Sequence, residues 1–161
     1  MKIQKTNAVR ILDQAKIKYE LTPYEVDESD LSAVHAAETS GINIDQIFKT
    51  LILKGDKTGH LVCVIPGGAT LDLKKAAKVS GNKNCAMIAI KDLQPLTGYV
   101  RGGCSPIGMK KRLPTYIDSS ALQWPHIHIS AGQRGLQMQL APADLVRVTE
   151  ACVCDLSAVK A

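Results

Sequence analysis

The sequence predicts an α+β fold, with a mixed, largely antiparallel and barrel-like sheet surrounded by helices. Three observations carry that expectation. Residues 48–54 and 60–66 are β-patterned apolar runs joined by Gly55-Asp56-Lys57-Thr58-Gly59, a hairpin signature. Residues 127–130 and 136–140 form a second pair across the turn Ser130-Ala131-Gly132-Gln133-Arg134-Gly135. Short, well-capped helical segments are inserted between these hairpins. The pattern leaves open whether the sheet closes on itself.

From Thr6 to Lys18, the apolar residues Val9, Ile11, Leu12, Ala15 and Ile17 recur mostly at helical spacing, with Thr6 or Asn7 available as N-cap. Residues 19–26 alternate and contain Pro23, which suits an edge strand. A second helix runs from an N-cap at Ser32 to Ser40, with Gly41 at C′. Asn43-Ile44-Asp45-Gln46 has capping-box spacing and predicts one more short turn. After the first hairpin, residues 72–80 read as a helix ended by Gly81, with Lys74 and Lys78 on one face and Lys75 adjacent. Residues 114–118 read as a strand, Pro142 opens a helix that lasts to about Thr149, and residues 151–155 form a last strand. No repeat, low-complexity tract or linker divides the chain, so residues 1–161 are expected to form one domain.

Composition narrows the function classes. One Trp, one Phe and four Tyr leave an aliphatic core and little material for stacking several bases, which argues against an RRM-type or OB-type binder of single strands. A net charge of +5 is compatible with nucleic acid and with a merely basic cytosolic protein. The five cysteines are odd in number and scattered without a CxxC pair, which fits reduced thiols and signals no zinc site. The first ten residues are polar and basic, unlike a signal peptide, and no apolar run approaches a membrane span. A cytoplasmic protein without membrane association is the expectation.

The chemistry concentrates in Gly98-Tyr99-Val100-Arg101-Gly102-Gly103-Cys104-Ser105-Pro106-Ile107-Gly108-Met109-Lys110-Lys111, followed by Arg112. Four glycines and a proline within fourteen residues suit neither helix nor strand, but they let backbone N–H groups approach a ligand. The alternative is a connecting loop whose glycines only serve turns. Lys49 shares a strand face with Leu51 and Leu53. It is either a snorkelling end residue or a partly desolvated ammonium aimed into a cavity. Tyr24 and Ser130 sit near strand ends, where each can offer a hydroxyl to a ligand or simply serve its own turn. His126 and His128 share a face, but no neighbouring Asp, Glu or Cys completes a ligand set, so no metal is expected. Cys104 has no histidine close in sequence to activate it and reads as a loop filler.

Taken together, four stretches resemble the YbaK/EbsC family of free-standing aminoacyl-tRNA deacylases. They are Phe48-Lys49-Thr50-Leu51, Leu71-Asp72-Leu73-Lys74-Lys75-Ala76-Ala77-Lys78, Thr97 through Lys111, and Ser130-Ala131-Gly132-Gln133-Arg134-Gly135-Leu136. Family order and similar spacing are kept over nearly the whole chain. The resemblance implies a domain related to the editing domain inserted in bacterial prolyl-tRNA synthetases, acting to clear Cys mischarged on tRNA(Pro). It implies that Lys49 is the residue most closely tied to activity, with Gly102 as its backbone partner. Tyr24, Gly103, Ser105 and Ser130 are then expected to bind substrate, and Lys110, Lys111 and Arg112 to contact tRNA weakly. Where the family often has an aliphatic residue between Gly-Gly and Ser-Pro, this chain has Cys104.

No convincing protein nucleophile, metal or general base appears among these residues, and no cofactor is expected. The family resemblance implies a substrate-assisted route, in which the cysteinyl thiol attacks its own ester while backbone N–H groups and Lys49 stabilise the oxyanion. Two other readings remain: an alanine-type deacylase that uses water, and a non-catalytic tRNA- or synthetase-binding module. The resemblance also suggests that tRNA specificity is borrowed from prolyl-tRNA synthetase in a ternary complex.

Overall fold

The computed structural model describes residues 5–27 and 29–158. Five helices are present: α1 (Asn7–Gln14), α2 (Ala33–Ser40), α3 (Leu73–Ser80), α4 (Ile90–Thr97) and α5 (Pro142–Thr149). Eight strands accompany them: β1 (Glu20–Pro23), β2 (Phe48–Gly55), β3 (Gly59–Pro66), β4 (Cys85–Met87), β5 (Thr115–Asp118), β6 (Ile127–Ser130), β7 (Leu136–Leu140) and β8 (Cys152–Cys154). Each helix boundary foreseen from a cap is met. Thr6 Oγ1 accepts from Val9 N and Ser32 Oγ from His35 N; Asp72, read from the sequence as the first helical residue, instead caps α3 by accepting from Lys74 N and Lys75 N. Gly41 and Gly81 close α2 and α3 in the left-handed region, at φ 76° and 78°. β4, α4 and a 3-10 turn at Ser119–Gln123 were not anticipated. β4 has only three residues, and α4 carries Pro95 in its interior, so neither offers a sustained period.

The strands form two sheets, ordered β1-β7-β6 and β4-β2-β3-β5-β8. The first is wholly antiparallel, with Pro23-bearing β1 at its edge. The second mixes the antiparallel pairs β2–β3 and β2–β4 with the parallel pairs β3–β5 and β5–β8. The expected barrel does not close. Closure needs a continuous ladder at every junction, whereas the sheets meet through one bridge, between Ile47 and His128. The outer strands pair with no further strand among the described residues. Between the sheets, Phe48, Ile52, Val62, Val64 and Ile117 pack with Ile127, Ile129, Met138 and Leu140, and α1 adds Ala8, Val9 and Leu12. A second apolar cluster under α3 contains Leu53, Leu61, Cys63, Ile65, Ala76 and Leu156. No described helix is long and apolar enough to cross a membrane.

Asp118 ties the end of β5 to the chain beyond β8. Its carboxylate accepts from Leu156 N at 2.8 Å, from Ser157 N at 3.2 Å, and from the Ser120 hydroxyl. Burial alone would raise this carboxyl, but the Ser120 and backbone donors together hold it below the ordinary 3.8. A depressed carboxylate stabilises the fold fully above its unfolded value and loses that contribution as the pH falls through its folded value. Asp118→Asn is expected to lower stability by about 1–3 kcal/mol at neutral pH. It should also flatten the loss of stability below about pH 4, as read from urea midpoints against pH.

Candidate active site

The seam between the two sheets carries a small pocket of about 90 Å³. Its wall is assembled from five places in the chain: Tyr24 after β1, the entrance to α2, residues 47–50 at the start of β2, Gly102 and Cys104 of the glycine-rich loop, and Ser130 and Gln137 of β6 and β7. The pocket is small and suits a group of the size of an aminoacyl side chain.

Lys49 enters from the second position of β2, opposite Ile65 of β3. It is half-buried and makes no ion pair or side-chain hydrogen bond among the described residues. Burial pushes its ammonium below the ordinary 10.5. Lys49 lines the pocket, and its charge meets no counter-ion among the described residues.

Gly102 lies at the third position of a turn, Val100-Arg101-Gly102-Gly103, closed by Gly103 N donating to Val100 O at 3.0 Å. Its φ of 83° is the value such a turn demands there, and a Cβ would stand 3.2 Å from Leu31. The Gly102 N–H has no acceptor among the described residues, and its carbonyl receives the Tyr24 hydroxyl at 3.5 Å. The Gly103 N–H is consumed by the turn, so within this glycine pair Gly102 keeps an N–H without an acceptor among the described residues. The role of Gly103 is steric. A Cβ there would lie 2.9 Å from Arg134 N and Gln133 C. The loop is pinned in place by Arg134 Nε donating to Arg101 O at 2.8 Å.

Ser130 reaches the pocket from the end of β6, and its Oγ accepts from Gly132 N at 3.2 Å. It thus serves its turn and keeps its own proton for donation. Ser105 is fully buried, accepts from Ile107 N at 3.3 Å and does not line the pocket. Lys110, Lys111 and Arg112 do not line it either. The Lys110 backbone is held to Thr97 O at 2.8 Å, and Arg112 pairs with Glu150 at 3.1 Å across an exposed surface. His126 and His128 are likewise absent from the wall. Cys104 is in the wall, but burial pushes its thiol up to about 12, so it stays protonated near neutral pH and is no thiolate nucleophile.

Two wall residues escaped the sequence reading. Thr50 Oγ1 and Gln137 Oε1 are buried polar atoms without hydrogen-bond partners, and Gln137 is only 5 % exposed. Unmatched buried acceptors are costly unless a ligand supplies the donors. The available signal was slight: Thr50 follows Lys49, and Gln137 follows the quoted Ser130–Leu136 motif.

Residues 28–148 match the family model of the aminoacyl-tRNA editing domain. This chain belongs to that family. It is 52 % identical over 146 residues to EbsC of Enterococcus faecalis, a proposed Cys-tRNA(Pro)/Cys-tRNA(Cys) deacylase, covering 91 % of this chain and 89 % of that protein. It is 28 % identical over 121 residues to YwhH of Bacillus subtilis, whose name carries no activity, covering 75 % of this chain and 76 % of that one. A crystal structure described as that of a proposed trans-editing enzyme for prolyl-tRNA synthetase superposes with a TM-score of 0.80 at 28 % identity. It covers 98 % of this chain and 100 % of that chain. The α+β architecture is that of an editing domain.

The close approach at Gly103 is testable without substrate. Gly103→Ala forces a methyl against the Gln133–Arg134 backbone, which has no flexible end to give way. It is expected to cost about 1–3 kcal/mol of stability in urea unfolding, whereas an alanine at open Gly59 meets nothing within 4 Å and costs only its backbone strain.

Proposed function

We propose that this chain is a trans-editing deacylase that releases Cys from Cys-tRNA(Pro). The observation that carries the reading is the composition of the pocket wall. An unpaired ammonium and a backbone N–H without an acceptor belong to that wall, while no carboxylate or imidazole lines it among the described residues. Such a site supplies charge and orientation but no general base. The 52 % identity to EbsC supports the same substrate class.

In this reading the ester carbonyl oxygen faces Lys49 Nζ and Gly102 N–H. Tyr24 holds the Gly102 turn from below, and Ser130 donates its hydroxyl to the ester. The substrate thiol attacks the carbonyl carbon, forming a C–S bond as negative charge builds on the carbonyl oxygen. Collapse breaks the C–O bond to the terminal ribose, whose oxygen takes the proton released by the thiol. The products are the free tRNA end and a thiolactone, which water opens to cysteine. Holding thiol and carbonyl together replaces a protein nucleophile, and the two donors stabilise the oxyanion.

Residues 1–161 act as one editing domain, because α1 and the chain beyond α5 both feed the apolar clusters that support the seam. Lys110, Lys111 and Arg112 lie off the pocket and suit the phosphates of the acceptor stem, with tRNA(Pro) selected together with prolyl-tRNA synthetase in a ternary complex. The site of action is the cytoplasm, where charged tRNA is found.

Release of amino acid from purified Cys-, Ser- and Ala-tRNA(Pro) tests the reading. Cys release is expected to exceed Ser and Ala release by at least tenfold, since only the thiol is a ready intramolecular nucleophile. Equal turnover of the three establishes an activated water instead. No release, with salt-dependent tRNA binding, establishes a binding module. Lys49→Met is expected to reduce Cys release by about 10²–10³. It should unfold at no lower urea concentration than wild type, because the lost ammonium was desolvated and unpaired.

A further inference from the structure

A second cavity opens beside the pocket, and its position follows from β4 and α4. It measures about 170 Å³ and is lined mainly by apolar groups of residues 50–52, of residues 87–90 and of Leu93. Thr50, Gly102 and Cys104 line both cavities, so the slot abuts the pocket at those three residues. Met87 and Ile90 stand 49 % and 62 % exposed along it, an unusual exposure for large apolar side chains. Arg101 closes one end. Its backbone carbonyl is fixed by Arg134, and its exposed guanidinium has no ion-pair partner among the described residues.

We propose that this slot takes the terminal adenosine of the substrate, with its base against Met87, Ile90 and Leu93 and its 5′ phosphate toward Arg101. The inference rests on the deacylase reading and deepens it. The alcohol side of an ester seated at Lys49 lies outside that small pocket, and the slot is the cavity that borders it, at Gly102 and Cys104. The slot is mainly aliphatic and carries a cation in its wall. A purine offers two apolar faces that a thioether and branched aliphatic side chains cover well. A guanidinium matches the oxygen geometry of a phosphate. In a chain with six aromatic residues, aliphatic groups here take the part that stacking rings play elsewhere.

The test compares 3′-O-cysteinyl-AMP with cysteine methyl ester, which lacks the nucleoside. Ala89 lines the slot with extended backbone, φ −67° and ψ 144°, so Ala89→Trp fills the cavity without backbone strain. The ratio of kcat/KM for the two esters is expected to fall at least tenfold in Ala89→Trp, chiefly through KM of the nucleotide ester. It should fall several-fold in Arg101→Ala, a change at an exposed side chain that guards against misfolding of the first variant. An unchanged ratio in both variants overturns the slot and leaves the deacylase reading standing. If wild type releases cysteine from neither ester, the deacylase reading fails, and the slot is then judged by AMP alone. Saturable movement of the Met87 methyl resonance on adding AMP, reduced in Ala89→Trp, supports it; no movement overturns it.

Discussion

The contact on which the site depends is a close approach of two backbones. Gly103 lies so near Gln133 and Arg134 that no side chain fits between them, and Gly132 lies equally near the Tyr99 ring, where a Cβ would stand 2.9 Å from a ring carbon. The glycine-rich loop and the β6–β7 turn therefore interlock, each contributing a glycine where the other needs room. Tyr99 adds its hydroxyl to Ile107 O at 2.6 Å, and Thr6 at the head of α1 donates to Ala131 O. Through these bonds the loop, the turn and the first helix become one rigid body. Gly102 is held at the pocket by that body, and its N–H meets no acceptor among the described residues.

Against this frame Lys49 is an expense that folding does not require. It sits at the seam, where one sheet begins and the other ends, with burial disfavouring its charge and no carboxylate in reach. A structural lysine would be expected to pair or to extend into solvent. An unpaired ammonium beside an N–H without an acceptor has the character of a binding site for a group that develops negative charge. An aminoacyl ester approaching its oxyanion is such a group. Preorganised dipoles in a small, partly dry cavity act more strongly than the same groups in water, which is how a site without base or metal can still promote acyl transfer.

Cys104 shows how environment assigns a role. A thiol in a glycine-rich loop invites a nucleophilic reading, but the surrounding apolar wall holds it neutral, with its acidity shifted to about 12. It acts instead as a small, soft divider between the pocket at Lys49 and the slot under α4.

The sequence by itself determined the local structure and the main actors. Caps at Thr6, Ser32 and Asp72, C-terminal glycines at 41 and 81, and period-two runs set most helices and strands, since these depend on neighbours within a few residues. Lys49, Gly102, Tyr24 and Ser130 were legible as candidates through motif and resemblance, and they do meet in one pocket. The tertiary structure alone decided the rest. It left the sheet open, because a single bridge at Ile47 replaces a ladder. It turned Gly103 from a donor into a spacer and buried Ser105 away from the pocket. It set Lys110, Lys111 and Arg112 apart from the site and brought in Thr50 and Gln137. Each of these depends on which residues distant in sequence come within a few ångströms, and on whether a polar atom is already satisfied there. Neither quantity is carried by the order of residues along a strand.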